Sequence, residues 1–179
     1  MKYMIAAAVA AVAAFTLLSG LAFADDAFHA DANAALQTLY QSEPVAKWMN
    51  GKAKAVLVFP SIVKAGFIVG GQYGEGVLLE NGKLIAHYNS VAASYGLQAG
   101  VQKFGYVLFL MTDNALQYLN KSDGWELGVG PSIVIVDEGK AKSLTTTTLQ
   151  DDVYAFIFDQ KGLMAGLGIQ GSKLTRLEN

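Results

Sequence analysis

VLLENGKLIAHY, residues 77–88, is the stretch from which the fold is read. Val77, Leu78 and Leu79 form one apolar run, Leu84, Ile85 and Ala86 open another, and Asn81-Gly82 lies between them. Asn and Gly both tolerate the left-handed backbone that a two-residue turn needs to match the twist of its strands, so the pattern predicts a β-hairpin. Before it, Ala55–Phe59 is a continuous apolar run expected to close at Pro60, and Ile62–Val69 and Gly76–Leu79 are further strand signals. After it, Val91–Gln102 alternates small and polar residues, and Tyr106–Met111 is strongly apolar. Strands are also expected at 126–129, 133–136, 143–148, 153–158 and 163–169, with turns at 137–139 and 159–162. One internal helix is expected over 114–120, started by Thr112-Asp113, with Ala115, Leu116 and Leu119 on one face.

So many short strands with frequent turns argue for antiparallel sheets, curled or closed into a barrel or sandwich. Glycines inside strand patterns (Gly70, Gly71, Gly74, Gly96, Gly100, Gly166, Gly168) predict bends, bulges or close backbone approach. A membrane-spanning barrel needs strands of ~10 alternating residues. Most runs here are shorter and several are apolar on both faces, so the water-soluble version is preferred.

Residues 25–50 hold no glycine and read differently. Phe28, Ala32, Ala35, Leu36, Leu39 and Tyr40 recur at helical spacing, and Asp25, Asp26 and Asp31 suit the positive end of a helix dipole. Pro44 starts a second short helix carrying Val45, Ala46, Trp48 and Met49, which Gly51 ends. The fold class is therefore α+β and β-rich: N-terminal helices, then antiparallel strands, with one internal helix.

The first 24 residues are set apart. A basic start (Lys2), an apolar run from Met4 to Leu18 and the triplet Ala22-Phe23-Ala24 form a secretory signal, with cleavage expected between Ala24 and Asp25. The apolar run is shorter than the ~20 residues a membrane-spanning helix needs. Leu21 stands where a lipoprotein signal would need cysteine, so no acyl anchor is expected. This divides the chain into a leader (1–24), a helical segment (25–50) and a β-rich body (51–179), the last two forming one domain. The mature protein is expected to work in the periplasm or at the cell surface.

Without Lys2 the mature chain carries 12 Lys and Arg against 15 Asp and Glu, a balance that disfavours nucleic acid as a partner. With no cysteine there is no disulfide framework, no thiolate metal site and no thiol nucleophile. Two histidines, His29 and His87, are too few for a histidine-rich metal centre. Gly166–Gly171 matches Gly-x-Gly-x-x-Gly, but only eight residues follow, too few for the helix and strand that hold a dinucleotide. Asp151-Asp152 and Asp137-Glu138 fall at turns and lack the alternating oxygens of a calcium loop. No nucleophile–base pair is recognisable, so no catalytic residue, cofactor or metal is expected.

Between Pro44 and Tyr73 there are four lysines, Lys47, Lys52, Lys54 and Lys64, and no acid, with Trp48 and Met49 among them. A basic junction bearing large apolar side chains suits an anionic headgroup at a membrane surface. These six residues are the candidate lipid-binding site. The alternative is that the lysines are simply solvated and Trp48 staples helix to sheet.

Several blocks, in order from residue 55 to 172, resemble the SYLF family. They are Ala55–Pro60, Val63–Phe67, Gly70-Gly71 with Tyr73–Val77, Tyr95–Gly100, Gly128–Pro131 and Lys161–Ser172. The resemblance implies a compact β-rich domain with N-terminal helices, no catalysis, and binding of acidic lipids, phosphoinositides in eukaryotic members, some of which also bind actin. The expected function is binding of acidic phospholipid at a membrane surface. The alternative is a docking module for a protein of the cell envelope.

Overall fold

The computed structural model describes residues 26–121, 124–136, 141, 144–145, 149–162, 169 and 171–178. Helix α1 covers 26–42, α2 runs Pro44–Asn50 and α3 Asp113–Lys121. The strands are β1 (Ala55–Glu80), β2 (Lys83–Leu110), β3 (Trp125–Glu126), β4 (Ile133–Val136), β5 (Val153–Gly162) and β6 (Lys173–Arg176). They form one curled sheet in the order β3-β6-β2-β5-β4, with β1 paired to β2. The expected class, α+β and β-rich with N-terminal helices and one internal helix, is the one observed.

The Asn81-Gly82 turn is present, with φ of 50° and 76° at its two central residues. What it joins is larger than expected. The runs on either side are not separate short strands but two strands of 26 and 28 residues, paired from Ala55↔Leu110 to Glu80↔Lys83. Pro60 does not end β1. The register slips between Phe59 and Ile62, and in such a bulge the missing N–H of proline costs no ladder bond.

A straight 26-residue strand would reach ~85 Å, whereas a domain of this length has a radius of gyration of only ~15 Å. The hairpin therefore bends back on itself. A second irregularity falls between Phe67 and Ile68, where Leu97 and Gln98 have no partners on β1. Around it, a Cβ on Gly66 would stand 2.3 Å from the Gly70 Cα. Further along, a Cβ on Gly74 would stand 2.5 Å from the Ser61 carbonyl oxygen, and one on Gly76 2.4 Å from that of Val58. These are backbone collisions that no rotamer relieves. Glycine is what lets the second limb of β1 (about 70–80) lie against the first (about 55–65).

Curling gives the sheet two apolar faces. On the inner one, Leu57, Phe59, Ile62, Leu78, Tyr106 and Leu108 pack with Ala115 and Leu119 of α3, Trp125 and Leu174. Phe59 stacks on Tyr106 at 4.6 Å. On the outer one, Val56, Val58, Val77, Val107, Phe109 and Phe156 pack beneath Ala32, Ala35, Leu36 and Leu39 of α1 and Ala46 and Met49 of α2. The helical stripe read from the sequence is thus the buried one. His29 Nε2 lies 3.1 Å from the Gly82 carbonyl, and Phe28 meets His87 edge-on, tying α1 to the hairpin turn.

Three expectations are corrected. β4 pairs with β5 in parallel, so the sheet is not wholly antiparallel; residues 137–152 between them are long enough for a crossover, which takes a dozen residues or more. The turn expected at 159–162 is instead strand: β5 continues to Gly162, and Asp159, at φ 50°, absorbs a bulge opposite Lys103–Gly105. The strand expected at 126–129 shrinks to Trp125–Glu126, because Leu127 donates its backbone N–H to Ser172 outside the ladder. The turn at 137–139 lies outside the described residues, as do most of the strands expected at 143–148 and 163–169.

Two substitutions test this packing. Phe109 is fully buried and meets Phe156 edge-on at 5.6 Å, so Phe109→Ala should cost ~3–5 kcal/mol. Gly76→Ala should cost ~1–3 kcal/mol although it adds one methyl group to a strand, where alanine otherwise beats glycine. Denaturant titration measures both. A stabilised Gly76→Ala protein would contradict the close approach of the limbs.

Candidate functional site

The six residues singled out from the sequence do not form one surface. Lys47 is exposed on α2, Trp48 beside it is half-buried, and the Lys52 ammonium lies 5.2 Å from the centre of the Trp48 ring. These three come together. Lys54 is close in sequence, but its ammonium is 3.2 Å from Asp113 at the start of α3. Met49 is fully buried between α2 and the sheet and serves packing. Lys64, only 8 % exposed, sits ten residues further along β1, roughly 33 Å of strand away from Lys54. Trp48 packs against the outer core cluster, which favours the staple over an inserted ring.

At the bent end of the hairpin, Lys64 has company that the sequence could not reveal. Val63 pairs with Lys103, and Lys103 pairs with Lys161, so two exposed lysines stand side by side on one rung. Tyr73 pairs with Val91, and Val91 with Lys173, also exposed. Since Gly74 rests against Ile62, these two rungs lie at the same height in the folded hairpin. Lys161 is 3.1 Å from Asp159, an exposed pair worth little. Glu126 lies opposite Lys173 in the ladder, and Glu75 accepts a hydrogen bond from the Tyr73 hydroxyl at 2.6 Å. Lys64, Lys103 and Lys173 have no carboxylate within ion-pair distance among the described residues. The signal for this group is cross-strand register, which is absent from linear spacing.

A polar strip runs along the inner face beneath. Gln72 donates to Ser172 Oγ at 2.8 Å, and Tyr106 donates to Ser90 Oγ at 2.7 Å, where burial raises the phenol pKa. Gln102, the cross-strand partner of Lys64, keeps a buried side-chain oxygen with no donor among the described residues. A separate cavity of about 210 Å³ opens between α1, the start of β1 and the hairpin turn, lined by Asn33, Gln37, Tyr40, Asn50, Lys54 and Asn81. Burial raises the Tyr40 pKa to about 12, and among the described residues its hydroxyl has no hydrogen-bond partner.

The carboxylates do structural work. Asp152 accepts from the Thr112 hydroxyl and from both the backbone N–H (3.1 Å) and hydroxyl (3.3 Å) of Ser132. Thr112 in turn caps α3 by accepting from the Ala115 N–H at 3.2 Å. One side chain thus ties the starts of α3, β4 and β5. Among the described residues no three His, Asp or Glu side chains gather as a metal site.

The family described as Ysc84: Las17-binding protein actin regulator matches residues 91–179, from the middle of β2 to the C-terminus. No curated protein matches the chain. The C-terminal half of the chain belongs to the Ysc84 (SYLF) family. This is a family of lipid- and actin-binding domains.

Asp152 gives a pH test. The Thr112 hydroxyl, then the Ser132 and Asn114 donors, hold its carboxyl below the ordinary value near 4, with burial opposing them. A carboxyl lowered on folding contributes stability above its ordinary pKa and loses it as pH falls through the folded value. Asp152→Asn should therefore lower stability at pH 7, by no more than ~1 kcal/mol for so accessible a group, and flatten the loss below about pH 4. Melting curves between pH 2 and 7 decide it; an unchanged acid limb would contradict the assignment.

Proposed function

We propose that the protein is a non-catalytic module that binds anionic phospholipid at a membrane surface, after export and removal of its leader behind Ala24, in the periplasm or at the cell surface. The observation that carries this reading is the lysine group at the bent end of the hairpin. Lys103 and Lys161 are neighbours on one rung, Lys173 is level with them on the other limb, and Lys64 lies one residue from Val63 on the inner face. Lysines near an anionic bilayer contribute about 1 kcal/mol each, and several acting together recruit a protein that no single one would hold. The family's binding character supports the same reading.

A second contact, at α2, rests on Lys47 and Lys52 around Trp48. It is the smaller of the two, and its ring is already engaged.

The expected result is binding to vesicles containing phosphatidylglycerol and not to neutral phosphatidylcholine, weakening as salt shortens the ~10 Å screening length. Reversing Lys103 and Lys161 to Glu should weaken it more than tenfold, with native circular dichroism. Reversing Lys47 and Lys52 should change it less. A stronger effect from the α2 pair would move the contact to that end. Binding indifferent to headgroup charge would remove the lipid reading and leave docking to an envelope protein. The mature mass should begin at Asp25.

A further inference from the structure

The bend of the hairpin is unlike the rest of the surface. No Asp, Glu, Lys or Arg occurs between Lys64 and Glu75 on β1, or between Lys83 and Lys103 on β2. At Val58, Val77 and Val107 the outer face of the hairpin is covered by helices, but toward the bend the cover ends. There Val63, Val69, Tyr73, Val91 and Val101 are exposed, Val69 by 57 % and Val101 by 62 %. Ala65 and Ala93 add to the same face, since Ala65 pairs with Val101 and Gly71 with Ala93, and cross-strand partners share a face. Among the described residues β6 pairs with β2 over Tyr88–Val91, and β5 over Gln102–Leu110. Among the described residues no further strand pairs with the intervening part, its exposed outer face is uncharged, and no helix is long and apolar enough to cross a membrane. Contiguous apolar patches of this kind mark interaction sites.

What covers the patch is indicated by its margins. The last rungs before the charge-free part carry Lys103 and Lys161 on one limb and Lys173 on the other. Apolar side chains beyond a line of lysines match a bilayer, where hydrocarbon is met past a layer of phosphates and long basic side chains reach back to it. A second copy packed foot to foot would set each lysine group against its own counterpart, whereas an anionic bilayer meets the apolar face and its basic margin together. Tyr73, with a hydroxyl at the edge of the apolar patch, is a residue type that favours the membrane interface.

We propose that the bend around residues 65–73 and 91–101 is the part of the protein that enters the bilayer, seating Val69 and Val101 below the phosphates of anionic lipids while Lys103, Lys161 and Lys173 stay at headgroup level. This rests on the lipid reading above and deepens it, by assigning insertion to the bend and not to Trp48.

The chain has no cysteine, so single Val69→Cys, Val101→Cys and Ile85→Cys proteins can each carry one environment-sensitive fluorophore. Ile85 is exposed too, but near the hairpin turn at the other end. On vesicles of phosphatidylglycerol and phosphatidylcholine, the labels at 69 and 101 should shift to the blue and be quenched by nitroxide lipids, while the label at 85 stays aqueous. Val69→Asp, which leaves the lysines intact, should lower vesicle affinity at least tenfold. If the wild-type protein binds but the labels at 69 and 101 remain aqueous, insertion by the bend is overturned and the surface reading survives. If the wild-type protein does not bind, both fall. If sedimentation shows a dimer that Val69→Asp dissociates, the patch belongs to a second copy and the proposal is wrong. Should Val69→Asp fail to fold, the labelled proteins decide alone.

Discussion

The structure depends on backbone meeting backbone where β1 crosses itself. A sheet of this length buries its apolar residues only if the long hairpin folds, and folding brings Gly74 and Gly76 against the carbonyls of Ser61 and Val58. Dispersion and burial favour the contact, but a Cβ at either position would hold the limbs apart by more than the side chains of Phe59 and Ile62 could fill. With the limbs together, Phe59, Ile62 and Leu78 share one inner cluster with Tyr106, and α1 and α2 find a continuous outer surface. The helices, the α3 cap at Thr112 and the Asp152 contacts complete a shape that the hairpin has already set.

Much of this was legible in residues close together in the chain. Asn81-Gly82 announced its turn because the left-handed backbone there is a local requirement. The α1 stripe announced its buried face because helical periodicity is local too. Pro60 misled, since a proline in a strand pattern reads as an end and its harmless place in a bulge is visible only with β2 alongside. The parallel β4–β5 pair was hidden for a related reason: Ile133–Val136 looks the same whichever way its neighbour runs. Gly74 is legible as a site of bend, bulge or close approach, but Gly66 and Gly76 are not singled out by the sequence, because which backbone approaches a glycine is a long-range fact.

The candidate surface shows the same division. Lys47, Lys52, Lys54 and Lys64 drew notice as a run without acids, yet a run along a chain is not a patch in space. One of them pairs with Asp113, one is buried, and Met49 beside them is core. Lys103, Lys161 and Lys173, scattered over 70 residues of sequence, are brought level by register and by the bend. The bend brings fold and surface together: the hairpin that turns back at its glycines carries an exposed, uncharged outer face with basic residues at its margin.

The most direct test of this account is a distance across the folded hairpin. Lys52 and Lys83 are exposed and flank the two ends of β1, beside the cavity that both Lys54 and Asn81 line. Spin labels at Lys52→Cys and Lys83→Cys, measured by pulsed electron resonance, should report a separation well under half of the ~85 Å that a straight strand would impose. A distance approaching that extended length would show that the hairpin does not fold back on itself, and would contradict the account at its root.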